Sequence, residues 1–102
     1  MESTYERCLV HELVLQGIQV QRQSKQPIHY KGLDIDEGYR IDIFVEGKII
    51  LELKVVDHLN NLHIAQLLTY LKLSGCPLGY LINFNVKLLK DGIKRIVNEY
   101  EE

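Results

Sequence analysis

Three charged residues, Asp42, Glu52 and Lys54, interrupt a stretch that is otherwise rich in Ile, Val and Phe. The stretch Ile41–Lys54 has the sequence IDIFVEGKIILELK, and its two apolar segments flank Glu46-Gly47, which predicts a β-hairpin. Because side chains alternate between the two faces of a strand, Glu52 and Lys54 share a face. The hairpin therefore carries an acid and a base side by side on its second strand, and a further acid on its first.

The register of this hairpin decides whether the two acids meet. A left-handed Gly47 in a three-residue loop would pair Phe44 with Lys48 and place Asp42 diagonal to Glu52 on one face. A register shifted by two residues would put the carboxylates directly opposite each other, whereas a shift by one would separate them onto opposite faces. The first two registers both predict carboxylates within reach of each other.

Two neighbouring carboxylates repel each other and need a compensating positive charge. Lys54 supplies one charge but leaves the three groups net negative. A hard divalent cation such as Mg²⁺, with Mn²⁺ as a substitute, would complete the balance when held by the carboxylates, waters and a substrate phosphate. It could activate water and stabilise charge on a phosphoryl oxygen, with the lysine assisting at the same centre. The alternative is an ion-paired sheet face, which is common on solvated antiparallel hairpins.

The totals are those of an ordinary globular protein. With 102 residues the chain is predicted to form a single domain, 1–102. A net charge of −2 gives no general attraction for nucleic acid, so any such binding would need a local patch. Cys8 and Cys76 lack the spacing of a zinc site or disulfide framework, and no stretch is apolar enough to span a membrane. We expect a cytoplasmic protein with reduced thiols and no membrane partner.

The rest of the chain predicts helices around a mixed sheet. The predicted elements are a helix ending near Gln16 with Ser3 or Thr4 as its cap, extended segments around Ile18–Gln26 and Pro27–Tyr30, an acidic connection Leu33–Tyr39, the hairpin, a helix Leu62–Leu73 capped by Asn60 or Asn61, a buried strand Leu78–Phe84, and a last helix within Ile93–Tyr100. A helix that joins two neighbouring strands implies a right-handed crossover and parallel pairing.

Other polar residues could belong to the same site. Gln66 and Tyr70 lie one helical turn apart and share a face, where they would satisfy backbone groups or point towards the hairpin. Glu12 borders the apolar stripe of the first helix, either as a rim carboxylate or as a helper aimed at the interior. Two basic clusters are either solvated surface or phosphate contacts: Arg22, Lys25, His29 and Lys31, and then Lys87, Lys90, Lys94 and Arg95.

Asp42, Glu52-x-Lys54 and Gln66-xxx-Tyr70 together resemble the site of the PD-(D/E)XK nuclease-like superfamily. Within it, the chain from Tyr5 to Asn98 resembles the GxxExxY protein family, above all in ELK, QLLTYLKL and LINFNVKLLKDGIKRIVN. The resemblance implies an α/β, restriction-endonuclease-like fold with an αβββαβ core, in which helices flank a mixed sheet.

The resemblance also implies roles for individual residues. Asp42 and Glu52 would bind the metal, Glu12 would match the first-helix acid that assists them, and Lys54 would orient or polarise the attacking water and the phosphate. Gln66 and Tyr70 would correspond to the helix motif of the recombination-exonuclease branch, which supports the site or DNA. The second basic cluster, Lys87, Lys90, Lys94 and Arg95, is the expected nucleic-acid contact.

The sequence departs from the family at its start. The Gly of the family's name motif would precede Glu2, and only Glu2 and Tyr5 of that motif are present. The N-terminal helix that members usually carry is absent, which would expose apolar surface and favour self-association, so a homodimer is expected. The expected function is Mg²⁺-dependent hydrolysis of phosphodiester bonds in nucleic acid, with DNA as the preferred substrate. The acidic net charge favours the alternative of a catalytically inactive nuclease-like fold that binds nucleic acid or protein.

Overall fold

A computed structural model describes residues 1–98 of the chain. The elements are α1 (Glu2–Leu15), β1 (Val20–Tyr30), β2 (Leu33–Val45), β3 (Ile49–Lys54), α2 (Asn61–Ser74), β4 (Leu78–Asn83), a 3₁₀ turn (Leu89–Gly92) and β5 (Ile93–Val97). The predicted αβββαβ core is confirmed, and β5 extends it. Within the described residues, no helix has both the length and the apolar character that crossing a membrane requires.

The five strands form one mixed sheet in the order β1-β2-β3-β4-β5. β3 and β4 are parallel because α2 carries the chain from one to the other, which confirms the predicted crossover. The other neighbouring strands are antiparallel. In the β3–β4 register, Glu52 is paired with Leu81 and Lys54 with Asn83, so the charged end of β3 lies beside the end of an apolar strand.

Each face of the sheet is covered by one helix. On one face, Leu67 and Leu71 of α2 are fully buried against Ile41, Ile50 and Leu81. On the other face, Leu9, Val10 and Leu13 of α1 pack against a second buried cluster. This cluster contains Ile43, Leu51, Leu53 and Ile82. Both helices present apolar side chains at helical spacing, so burying these stripes docks them on the sheet.

The ends of α2 agree with the sequence-based prediction. The Asn60 side chain accepts hydrogen bonds from the backbone N–H groups of Leu62 and His63, which satisfies two donors that the first turn leaves open. Gly75 ends the helix in the left-handed conformation, with a φ of +72°. The first helix differs, because it begins at Glu2 with Met1 at its N-cap and has no side-chain cap from Ser3 or Thr4.

Two predicted elements are wrong. The segment Leu33–Tyr39 is not a connection but the first part of β2, because the Lys31-Gly32 turn pairs it with β1. The predicted last helix is instead β5, which pairs with β4; residues 99 and 100 of that prediction lie outside the described residues. β4 would otherwise present unpaired backbone groups along its edge, and a neighbouring strand satisfies them.

Asn83 fixes the chain where β3 leaves the sheet. This residue is buried, with 3% of its surface exposed. Its side-chain amide donates to the carbonyl oxygen of Val56 at 2.8 Å and accepts from the Val56 N–H at 3.1 Å. These two bonds continue the strand pairing beyond Lys54 and thereby set the direction in which the chain leaves the site.

Replacing Asn83 with Ala is expected to lower the free energy of unfolding by about 2 kcal/mol, because three side-chain hydrogen bonds are lost in a buried position, two with Val56 and one with the Asn85 N–H. The matched control is Asn85→Ala: Asn85 is exposed and donates to the same Val56 oxygen at 3.2 Å. Its loss is expected to cost less than about 0.5 kcal/mol. Urea denaturation of both variants measures the difference, and equal costs would contradict the role given to Asn83.

Candidate functional site

The loop of the hairpin between β2 and β3 lies one residue further along the chain than the sequence indicates, because Val45 is paired with Ile49. Glu46 and Gly47 both have positive φ angles, of +54° and +65°, as the primed turns of hairpins require. Phe44 is consequently paired with Ile50 and not with Lys48. This register is shifted by two residues from the first expectation, and it is the alternative that keeps both acids on one face.

The shifted register sets Asp42 opposite Glu52. The last regular pair of the two strands is Ile43 with Leu51, so the next position brings the two acids together. There the strands are joined through side chains: the Asp42 N–H donates to Glu52 Oε1 at 3.2 Å. In return, the Leu53 N–H donates to Asp42 Oδ2 at 2.9 Å. Each carboxyl group is therefore held by a backbone amide of the opposite strand.

The environment of Glu52 favours its protonated form. Only 4% of the residue is exposed, and burial raises its pKa to about 8, with the negative charge of Asp42 as the second cause. Lys54 opposes this rise, whereas a hydrogen bond between the carboxyl groups of Glu52 and Asp42 supports it. At neutral pH Glu52 therefore favours its protonated form, and a positive charge next to the pair would favour its ionised form.

A chain of polar contacts runs from Lys54 into α2. Lys54 Nζ donates to Gln66 Oε1 at 3.3 Å, and Gln66 Nε2 donates to the Tyr70 hydroxyl at 3.2 Å. Burial raises the pKa of Tyr70, and the nearby Glu52 carboxylate raises it further, so the hydroxyl stays neutral. The Tyr70 ring stacks on Tyr39 of β2 with centroids 4.9 Å apart. The helix thus orients the site lysine through an amide that is itself anchored.

An open cleft of about 590 Å³ adjoins this arrangement. Its wall combines polar and apolar side chains from β3 and the first turns of α2: Lys54, Leu62, His63, Ala65, Gln66 and Thr69. Lys54, which shares a face of β3 with Glu52, lines this cleft. A substrate in the cleft would meet the lysine first.

The structure brings together five of the predicted site residues, namely Asp42, Glu52, Lys54, Gln66 and Tyr70. Glu12 does not join them, because it is exposed on α1, and α1 covers the opposite face of the sheet from α2. The buried acid of α1 is Glu6, with 4% exposure. Sequence analysis missed it, although its position three and four residues before Leu9 and Val10 places it on the apolar stripe.

The four residues of the second basic cluster lie on different elements. Lys87 and Lys90 lie between β4 and β5, whereas Lys94 and Arg95 are adjacent in β5. Adjacent residues of a strand point to opposite faces, so these last two side chains diverge. All four are exposed, and their contact with nucleic acid remains a prediction, although the helix expected around Lys94 and Arg95 is instead β5.

The first basic cluster is largely paired with acids. Arg22 contacts Glu6 at 3.3 Å, and Lys25 contacts Glu37 at 2.6 Å. His29 Nδ1 lies 2.6 Å from Asp34 Oδ1. These pairs reduce the positive charge that β1 presents to a phosphate backbone.

The donor set fits a divalent cation that completes its coordination from outside the protein. Among residues 1–98, no group of three or more His, Cys, Asp and Glu side chains is arranged to hold a metal ion. Mg²⁺, however, is commonly bound through one or two carboxylates, with water and substrate phosphate as its other ligands. Backbone amides fix the geometry of Asp42 and Glu52, and a cation bound to both would take the place of the proton that Glu52 favours.

The raised pKa of Glu52 predicts a pH-dependent stability of the metal-free protein. Between its ordinary value of 4.5 and about 8, the folded state binds more protons than the unfolded state. The free energy of unfolding is therefore expected to fall as pH rises through this interval, by at most about 5 kcal/mol. In Glu52→Gln, which resembles the protonated acid, that part of the slope should vanish. Urea denaturation at several pH values compares the two proteins, and parallel pH profiles would contradict the shift.

Comparison with known proteins supports the fold and the family. No protein of curated function matches the sequence. The crystal structure of the protein SSO0001 superposes with a TM-score of 0.68 at 19% identity, over 98% of this chain and 52% of that one. The chain thus spans about half the length of that protein, and the similarity concerns the fold alone. A family profile, described as PD-(D/E)XK nuclease superfamily, matches residues 1–96. This match covers nearly the whole sequence, and the chain belongs to the PD-(D/E)XK nuclease superfamily.

Proposed function

We propose that the protein is a Mg²⁺-dependent nuclease that hydrolyses phosphodiester bonds of nucleic acid, with Mn²⁺ as a possible substitute metal. The observation that carries the proposal is the carboxyl pair of Asp42 and Glu52, which face each other across two strands and are each held by a backbone amide of the opposite strand. Lys54 lies on the same face of β3 and beside an open cleft. Membership of a nuclease superfamily supports nucleic acid as the substrate.

Each residue has a part that follows from its contacts. A bound divalent metal would lower the pKa of water and stabilise negative charge on a phosphoryl oxygen. Asp42 and Glu52 would hold it, and the backbone amides that bind them would keep their geometry fixed. The Lys54 ammonium would bind a phosphate oxygen or orient the attacking water, and Gln66 would keep it in place.

The proposal extends to the finer expectations from sequence. The Gln66-xxx-Tyr70 resemblance to recombination exonucleases favours DNA, and the C-terminal motifs favour membership of the GxxExxY family. The two free cysteines are consistent with a cytoplasmic location. Exposed apolar side chains at the end of α1, with Leu15 66% exposed, favour a homodimer. Analytical ultracentrifugation tests that last point.

A second candidate function is binding without catalysis. The observations that favour it are the pairing of Lys25 with Glu37 and the opposite faces of β5 on which the adjacent Lys94 and Arg95 lie. Together with the net charge of −2, this weakens general attraction to nucleic acid. The intact Asp42, Glu52 and Lys54 oppose it, because binding alone would not need them.

Metal binding is tested by thermal unfolding with increasing Mn²⁺ or Mg²⁺. A ligand that binds only the folded state stabilises it by about 2.7 kcal/mol at a hundredfold excess over its Kd, so the wild-type Tm is expected to rise. Asp42→Asn keeps an oxygen for the Leu53 N–H but removes the charge, and its Tm should not respond. Asp91→Asn, which alters an exposed acid in the 3₁₀ turn, should respond like wild type. A flat wild-type response, also with oligonucleotide present, would contradict the proposed metal site.

Catalysis is tested with Lys54→Ala on single- and double-stranded DNA and RNA. Loss of the ammonium should reduce cleavage by at least about 100-fold, while the Mn²⁺-dependent rise in Tm remains. Lys72→Ala removes an exposed lysine from α2 and should cleave normally. Cleavage by Lys54→Ala at the wild-type rate would refute the role of the lysine. Intact metal binding without wild-type cleavage of any of these substrates would favour the binding function.

A further inference from the structure

β1 is irregular at Gln23. This residue has a φ of +53°, a left-handed conformation that residues other than Gly rarely adopt without support from their surroundings. Its neighbours pair regularly with β2, Arg22 with Ile43 and Ser24 with Ile41. Gln23 itself is skipped in this register, and the residue opposite it is Asp42. The irregular position of β1 therefore lies beside the first metal-binding acid proposed above.

The side chains of β2 change from one face of the sheet to the other at the same point. Residues two apart in a regular strand point to the same face of the sheet. Ile41 and Ile43 do not: Ile41 packs in the cluster beneath α2, whereas Ile43 packs in the cluster beneath α1. The change of face falls on Asp42, whose N–H donates to a side chain of β3, Glu52. The left-handed conformation of Gln23 and the change of face at Asp42 thus belong to one distortion of the paired strands.

Glu6 of α1 holds this distortion from the other face of the sheet. Gln23 Nε2 donates to Glu6 Oε1 at 2.5 Å, and Arg22 Nε lies 3.3 Å from Glu6 Oε2. A buried carboxylate is costly unless it is paired, and here both of its oxygens have a partner. The acid fixes two consecutive side chains of β1 at the point where the pairing breaks.

We infer that Glu6 is a positioning residue for the acid pair. Glu6 holds Gln23 in its left-handed conformation. This conformation maintains the change of side-chain face at Asp42, and with it the hydrogen bonds of Asp42 with Glu52 and Leu53. Its effect on metal affinity rests on the proposed function. Its effect on the backbone at Asp42 does not, and can be measured without metal.

The test follows amide hydrogen exchange at Asp42 and Leu53 in the metal-free protein by NMR, with the core amide of Leu81 as an internal reference. In Glu6→Ala, Gln23 loses its partner and relaxes, so exchange at Asp42 and Leu53 should rise relative to Leu81. The affinity for Mn²⁺ should fall by about 10- to 100-fold, as is typical when the partners of metal ligands are removed. Gln23→Ala removes the same bond from the other end and should act alike, which preserves the test if Glu6→Ala does not fold.

Rescue separates positioning from simple stabilisation. Glycine adopts a positive φ without strain, so adding Gln23→Gly to Glu6→Ala should restore most of the protection and affinity. The matched control adds Lys31→Gly, because Lys31 also has a positive φ, of +47°, but lies at the turn between β1 and β2. It should restore neither property. Glu2→Ala, which removes an exposed acid of α1, should change neither property.

Unchanged exchange in Glu6→Ala, or equal rescue by Gln23→Gly and Lys31→Gly, would overturn the inference. A wild-type protein that does not bind Mn²⁺ would refute the proposed function. In that case the exchange of Asp42 and Leu53 still decides whether Glu6 positions this part of β2.

Discussion

The structure depends on the contact between two acids that would separate if they were free to do so. Asp42 and Glu52 repel each other when both are charged, yet each is tied to the opposite strand by a backbone hydrogen bond. Burial adds to the cost of ionising Glu52, because its carboxylate is not solvated by water. The stability of the fold keeps this pair together, and a proton or a cation is needed to reduce the repulsion between the two carboxylates.

The two helices contribute to this site from opposite faces of the sheet. α2 lies on the cleft side, where Gln66 and Tyr70 orient Lys54. α1 lies on the other side, and its buried Glu6 reaches the strand next to Asp42. The sheet between them is apolar on both faces, so the polar groups at its centre are held by a small number of specific bonds. An acid pair of this kind requires support from both layers.

The sequence predicts the parts of the site that depend on strong periodic patterns. Alternation along β3 places Glu52 and Lys54 on one face, and helical spacing does the same for Gln66 and Tyr70. The crossover through α2 follows from chain connectivity, and parallel pairing of β3 with β4 confirms it.

What could not be predicted depends on contacts between distant segments. The hairpin register depends on the positive φ of Glu46, and a glutamate in the sequence does not predict this conformation. The final strand exists because β4 offers an open edge, so pairing with β4 prevailed over the local preference for a helix. Glu6 and Gln23 are 17 positions apart, and their importance is visible only once α1 lies on the sheet.

The central claim is that a divalent cation bound by Asp42 and Glu52 replaces the proton on Glu52, and calorimetry tests it most directly. Mn²⁺ binding is titrated at pH 6.5 in buffers that differ in ionisation enthalpy, which gives the number of protons released. The account predicts release of about one proton per Mn²⁺ at pH 6.5, and almost none at pH 9.5, where Glu52 is already ionised. Binding at pH 6.5 without proton release, or no binding at either pH, would contradict it.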